Sequence, residues 1–142
     1  MKENRLLNRV EVPVRFNEVD SMGIVWHGNY VKFFEDGREA FGKEYGIAYL
    51  DIYAKGYKVP LVKIDCNFLR FVKYGDILVV ETEFVNTLAA KIIYKFRVYN
   101  KENNVLVADG SSMQVFLDEN DELILTVPEF FEEWKRKYGL IE

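Results

Sequence analysis

The chain has 142 residues, 49% of them apolar, 30% charged and 15% aromatic, with a net charge of −4. That length suits one domain, 1–142, with a core of its own. The acidic balance excludes a global electrostatic case for nucleic-acid binding, so an anionic ligand needs a local basic patch.

Cys66 is the only cysteine and His27 the only histidine. An intrachain disulfide is excluded, as are the usual zinc spacings, so no metal site is expected. One thiol fits a reducing compartment. Residues 1–9 show no leader pattern, and no apolar run approaches the roughly 20 residues that span a bilayer. The expected location is cytoplasmic, with no integral membrane segment.

Val10, Val12, Val14 and Phe16 alternate with polar residues, which predicts a first strand. Pro13 lacks an N–H and puts that strand at an edge or a bulge. Residues 17–28 form a loop. From Asn29 the period changes: Tyr30, Phe33, Phe34, Gly37, Ala40 and Phe41 make one apolar helix face, with Asn29 as N-cap and Gly46 as the stop. Gly37, on the buried face, would let a sheet come close. A short helical turn is expected over Ala48–Lys55, ended by Gly56.

Four strands follow in meander. Val62–Phe68 and Leu78–Phe84 are separated by a turn at Tyr74-Gly75-Asp76. Ile92–Val98 and Val105–Leu117 come next, and Gly110 marks a bulge or a close backbone approach. Pro128 opens a terminal helix to Tyr138, with acids at its start and bases at its end. Sequential strands with one central helix are α+β. The sheet edges need covering, so a homodimer or homotetramer is expected.

The richest stretch is Asp20-Ser-Met-Gly23-Ile-Val-Trp26-His27-Gly28-Asn29-Tyr30. It sets a carboxylate and the single histidine around the start of the long helix. With Val14–Val19 before it and Phe33-Phe34-Glu35 after it, this stretch resembles the signature of the hotdog-fold acyl-CoA thioesterases. It is most similar to the 4-hydroxybenzoyl-CoA thioesterase family and its Tol-Pal-associated branch. Phe68-Leu-Arg70-Phe-Val-Lys73-Tyr-Gly75-Asp76 is a second match. The branch carries an aspartate where this chain has Glu18, a proline where it has Phe71, and alanine or proline where it has Gly28.

The resemblance implies an antiparallel sheet of about five strands wrapped around one central helix, plus a C-terminal helix. It implies hydrolysis of an acyl-CoA thioester with no cofactor, CoA being part of the substrate. Such hydrolysis needs an attacking group, oxyanion donors and an acyl pocket. Asp20 is the candidate nucleophile or general base. The N–H groups at His27 and Gly28 are the candidate oxyanion donors, since a helix start leaves amides without acceptors. The His27 side chain is a second catalytic candidate, able to orient Asp20 or donate to the leaving thiolate. Gly28 would let a ligand approach the backbone closely.

Gly23, Trp26, Asn29, Tyr30, Arg70, Lys73 and Ser111 are the candidate substrate-binding residues, with Arg70 and Lys73 facing the CoA phosphates. Tyr30, Phe33, Phe34 and Tyr57 would set pocket depth. Glu35 on the helix is a rival carboxylate, and Cys66 is expected to pack in the core. An acyl-carrier-protein thioesterase and a non-catalytic hotdog module that binds an acyl thioester or a protein are the alternatives. A hotdog dehydratase would want a proline-rich loop, and residues 21–28 contain none.

Overall fold

A computed structural model describes residues 5–142. The reading of the N-terminus as carrying no leader falls partly on residues 1–4, which lie outside the described residues. The elements are β1 (Leu7–Pro13), α1 (Asn29–Tyr45), α2 (Tyr49–Ala54), β2 (Leu61–Phe68), β3 (Ile77–Val85), β4 (Lys91–Asn100), β5 (Leu106–Leu117), β6 (Leu123–Ile124) and α3 (Glu129–Lys137).

The strands form one antiparallel sheet in the order β1-β3-β4-β5-β2, and the two-residue β6 extends the end of β5. The expected meander holds only from β3 to β5. β2 pairs with β5 at the opposite edge from β1. Its alternation is real, but alternation reports a face and not a neighbour. As expected of a strand with Pro13, β1 is an edge strand. It ends at Pro13, and the predicted last position, Phe16, lies in a single 3₁₀ turn (Phe16–Glu18), 75% exposed.

α1 lays its apolar face on the sheet. Tyr30, Phe33, Phe34, Gly37, Phe41 and Gly42 are buried on the helix. They face the sheet, where Phe34 meets Phe96, Phe41 meets Phe84 and Tyr94, and Gly37 lies over Val80. Full burial of each phenylalanine contributes about 2–3 kcal/mol. The Phe34 ring stacks on Phe96 with 4.6 Å between centroids.

Two glycines allow this seating. A Cβ on Gly37 would lie 2.5 Å from Thr82 Oγ1, and one on Gly110 would meet the Asp65 carbonyl and the Phe34 ring. Gly110 therefore marks a close approach. Its register with both neighbouring strands is unbroken, so the bulge alternative falls. Gly46 ends α1 in the left-handed region, as its position predicts. Gly28, not Asn29, occupies the position before the helix, and Pro128 likewise precedes α3 instead of opening it.

α3 packs Phe131 and Trp134 against Phe84. The buried Lys135 ammonium donates to the Thr87 carbonyl at 2.6 Å, and burial lowers its pKa.

The outer sheet face carries a charged ladder. Arg97 reaches Glu81 at 2.6 Å and Glu83 at 2.8 Å, and Arg5 reaches Glu83 at 2.8 Å. The Arg5 hydrogen bond, joined by that from Arg97 and by both charges, outweighs desolvation and holds the Glu83 carboxyl down at about 2 from an ordinary 4.5. A depressed folded pKa stabilises fully above the unfolded value and is lost as pH falls through the folded one. Glu83→Gln is therefore expected to cost about 1 kcal/mol at neutral pH, the range of a partly exposed ion pair. The gap to the parent should close as pH drops from 4.5 towards 2. Urea melts across that window check this, and a constant gap would exclude the ion pair as its source.

Candidate active site

The stretch from Glu18 to Trp26 is a small hairpin. Val19 bridges Val25, the Asp20 N–H donates to the Ile24 carbonyl at 2.8 Å, and the Trp26 N–H donates to the Glu18 carbonyl at 3.0 Å. Its tip is the turn Asp20–Gly23, closed by the Gly23 N–H on the Asp20 carbonyl at 2.9 Å. Gly23 sits at φ +78°, a conformation that other residues rarely adopt. The Asp20 carboxylate accepts the Met22 N–H on Oδ1 at 2.8 Å. That bond sets the direction of the carboxylate, and Oδ2 carries no hydrogen bond among the described residues.

A second segment lies alongside. Ile24 bridges Lys73, and the Val25 N–H donates to the Val72 carbonyl at 2.8 Å. The residues after β2 are thereby held against the hairpin. Between them opens a cleft of about 360 Å³, lined by Asp20, Met22, Ile24, Val25, His27, Tyr30, Phe68, Leu69, Arg70 and Phe71. Its walls are apolar and aromatic, with a carboxylate, an imidazole and a guanidinium around them. That is the usual make-up of a small-molecule site.

The chain enters α1 at the edge of this cleft. The Asn29 N–H donates to the Trp26 carbonyl at 2.9 Å and the Tyr30 N–H to the His27 carbonyl at 3.3 Å. The intervening N–H groups of His27 and Gly28 have no acceptor among the described residues. The His27 imidazole is exposed, with its centroid 4.8 Å from Trp26 and 6.2 Å from Phe68, and no hydrogen bond joins it to Asp20. The ring thus does not orient the Asp20 carboxylate. The Tyr30 hydroxyl is pushed upward in pKa, by burial first and then by Cys66. Its ring stands edge-on to Phe68 at 5.0 Å.

The structure therefore gathers Asp20, His27, Tyr30 and Arg70 at one cleft. The other candidates do other work. Asn29 is not an N-cap; its side chain donates to the Glu18 carbonyl at 2.8 Å. The Trp26 ring covers Gly28, so a Cβ there would collide with the indole. Gly28 is small where Trp26 packs on it. Lys73 is exposed beside the cleft and does not line it, while its N–H caps the following turn on Asp76 at 2.9 Å. Ser111 lies on the outer sheet face, its hydroxyl donating to Asp65, because strand alternation turns it away from α1. Gly23 does not line the cleft and closes the turn.

Glu35 is exposed, 3.8 Å from Arg38, and lines a separate cavity between α1, α2 and the sheet. Cys66 is half-buried on β2, and burial, with Asp109 and Asp65 nearby, pushes its thiol up to about 11, which suppresses the nucleophilic thiolate. No cluster of His, Cys, Asp and Glu among the described residues could hold a metal ion.

Sequence reasoning missed the role of Glu18. Its side chain is 2% exposed, and it is the only buried carboxylate among the described residues. It accepts the Arg15 N–H at 2.6 Å and pairs with Lys32 at 3.1 Å. The signal was present as an acid in an otherwise apolar-polar alternation, but nothing local distinguishes a buried acid from a solvated one.

A family model described as the thioesterase-like superfamily matches residues 14–135. The chain belongs to this superfamily. It is 30% identical over 132 residues to the Bacillus subtilis (strain 168) protein named "Putative acyl-CoA thioesterase YneP", covering 93% of this chain and 95% of that one. It is 27% identical over 127 residues to a 1,4-dihydroxy-2-naphthoyl-CoA hydrolase of Prochlorococcus marinus (strain MIT 9515), covering 85% of this chain and 83% of that one. Among solved structures, a DHNA-CoA thioesterase from Staphylococcus aureus superposes with a TM-score of 0.83 at 25% identity, over 94% of this chain and 89% of that one. The architecture is the hotdog fold, α+β, with the sheet packed on one long helix, and by family the chain is a thioester hydrolase.

Proposed function

We propose that the chain hydrolyses an acyl-CoA thioester to a free acid and CoA in the cleft between the Asp20 hairpin and the start of α1. One observation carries the reading. Asp20, His27 and Arg70 line a single apolar-walled cleft, and the unpaired amides of His27 and Gly28 lie where the chain enters α1 at its edge. The acyl-CoA thioesterase and hydrolase names of its relatives support the substrate class.

In this reading the acyl group rests against Tyr30, Phe68 and Phe71, and the thioester carbonyl points at the free amides. Donors already aimed where negative charge develops need no reorganisation in the transition state. The α1 dipole adds to them. The Asp20 carboxylate either attacks the carbonyl carbon, forming a mixed anhydride that releases the CoA thiolate and is then opened by water to the free acid and Asp20, or removes a proton from a water that attacks the carbonyl carbon and displaces the CoA thiolate. Its Oδ2, unbonded, is the oxygen available for either role. Arg70 attracts the CoA phosphates, and Lys73 extends the basic rim. Within the superfamily, the Asp20–Tyr30 motif supports the 4-hydroxybenzoyl-CoA thioesterase family and its Tol-Pal-associated branch. The single cysteine supports a cytoplasmic setting.

The working form in this proposal is at least a homodimer. β2 is an edge strand with one side unpaired among the described residues, and Leu61, Val62 and Phe68 on it are exposed. Such an edge is a template for a second strand.

Thiol release from a panel of acyl-CoA and acyl-carrier-protein esters is expected to reveal turnover. Asp20→Asn should lower kcat by about 100-fold or more with an unchanged melting curve. Unchanged turnover in Asp20→Ala would remove Asp20 from the chemistry. In a single turnover in ¹⁸O-water, an unlabelled acid with label in Asp20 shows direct attack with water opening the anhydride at the aspartyl carbon, whereas water activation gives a labelled acid and unlabelled Asp20. Arg70→Ala is expected to raise KM for a CoA ester several-fold more than for a truncated thioester; equal effects would make Arg70 structural. Sedimentation at micromolar protein should give a dimer or larger, and a clean monomer would refute the assembly.

A further inference from the structure

Glu18 is bound at both its ends, and each end reaches a different part of the site. Its backbone carbonyl accepts two donors, the Trp26 N–H at 3.0 Å and the Asn29 side-chain amide at 2.8 Å. These come from the last residue of the hairpin and the first residue of α1. Its carboxylate accepts the Arg15 N–H at 2.6 Å and pairs with Lys32, which lies one turn into α1, at 3.1 Å. Glu18 does not line the cleft, and nothing of the substrate can reach a side chain that is 2% exposed. A carboxylate is costly to bury, and here the Arg15 N–H and the Lys32 ammonium offset that cost.

We propose that Glu18 is the positioning residue of the thioester site, fixing the Asp20 hairpin on the N-terminus of α1 so that carboxylate and free amides meet one carbonyl. This rests on the reading of Asp20 and the His27–Gly28 amides as the reacting groups.

Asp20 and the His27–Gly28 amides sit on different supports. The carboxylate rides on the hairpin tip, and the amides ride on the helix start. Only His27 and Gly28 join the hairpin to the helix along the chain. Without a strut, the two would shift relative to each other. The Trp26 N–H, taken up by Glu18, also leaves the amide series in register: Trp26 is bonded inward, His27 and Gly28 are unpaired, and Asn29 returns to the helix. Lys32 anchors the strut to a rigid element, since α1 is seated by Phe33 and Phe34, both at most 1% exposed.

The catalytic effect of such a strut appears in kcat. A displacement on the order of 1 Å in a reacting group can cost about 100-fold. Phe68, Phe71 and Arg70, to which the reading gives the substrate, lie at and after the end of β2 and make no contact with Glu18, so the loss should fall on kcat and leave KM little changed.

The test uses the full-length protein, steady-state thiol release from whichever acyl-CoA the parent hydrolyses, and melting curves. Glu18→Ala removes both carboxylate contacts, Glu18→Gln keeps an acceptor for the Arg15 N–H, and Asn29→Ala removes the side-chain donor to the Glu18 carbonyl. Glu18→Ala is expected to lower kcat by about tenfold or more with KM within about twofold of the parent, measured well below its melting temperature. Glu18→Gln should recover part of that loss. Asn29→Ala should lower kcat in the same manner, and the double variant Glu18→Ala/Asn29→Ala should lose less than the product of the two single losses.

A folded Glu18→Ala with parental kcat overturns the proposal. So does a loss that falls on KM alone. If Glu18→Ala does not fold, Asn29→Ala decides: a fall in kcat at constant KM supports the strut, and parental kcat overturns it. Asp20→Asn in the same assay separates the two failures. Parental turnover in Asp20→Asn removes the catalytic reading, whereas an inactive Asp20→Asn beside a fully active Glu18→Ala removes only the strut.

Discussion

One buried carboxylate organises the entrance to the long helix. Glu18 is held by an amide before it in the chain and by a lysine after it, while its own carbonyl holds the end of the hairpin and the first helical side chain. A single residue thus closes four polar contacts in a segment whose chain direction reverses twice. Burying a charge without partners is strongly unfavourable, but with a backbone donor and an ammonium the cost is offset and the loop acquires one conformation. The rest of the site takes its geometry from that conformation.

The helix in turn depends on the sheet. α1 can lie on its face only because Gly37 and Gly110 remove side chains from the contact, which lets Phe34 reach Phe96. The sheet is not a simple meander. β2 leaves the helical segment, crosses to the far edge and pairs with β5, and the segment after β2 returns to the β1 side to meet the hairpin. The two halves of the cleft, 20–30 and 68–71, therefore come from opposite ends of a long excursion. Their union is a product of topology, since nothing in either segment specifies the other.

Much of this was readable from residue order. The strands, the long helix and its glycine stop follow from period and turn chemistry, and the Asp20–Tyr30 stretch identifies the place where reactive groups coincide. The readings that changed share one cause. Asn29 as a cap, an open Cα face at Gly28 and Ser111 as a pocket residue are each sound for an isolated segment. In the fold, Asn29 finds the Glu18 carbonyl, Trp26 folds over Gly28, and Ser111 faces Asp65 on the outer sheet surface. Each side chain was claimed by a neighbour distant in sequence or by a ring whose direction sequence does not state.

What the sequence by itself determined is the kind of element at each position and the chemical inventory of one loop, because backbone preference and hydrophobic period act locally. It also determined that Asp20 and the start of α1 lie within ten residues of each other. Only the tertiary structure decided which edge β2 occupies, which amides stay unpaired, that Arg70 joins Asp20 at one cleft, and that Glu18 is buried. Those outcomes depend on which surfaces exclude water and which polar groups find each other across the fold, and packing alone assigns both.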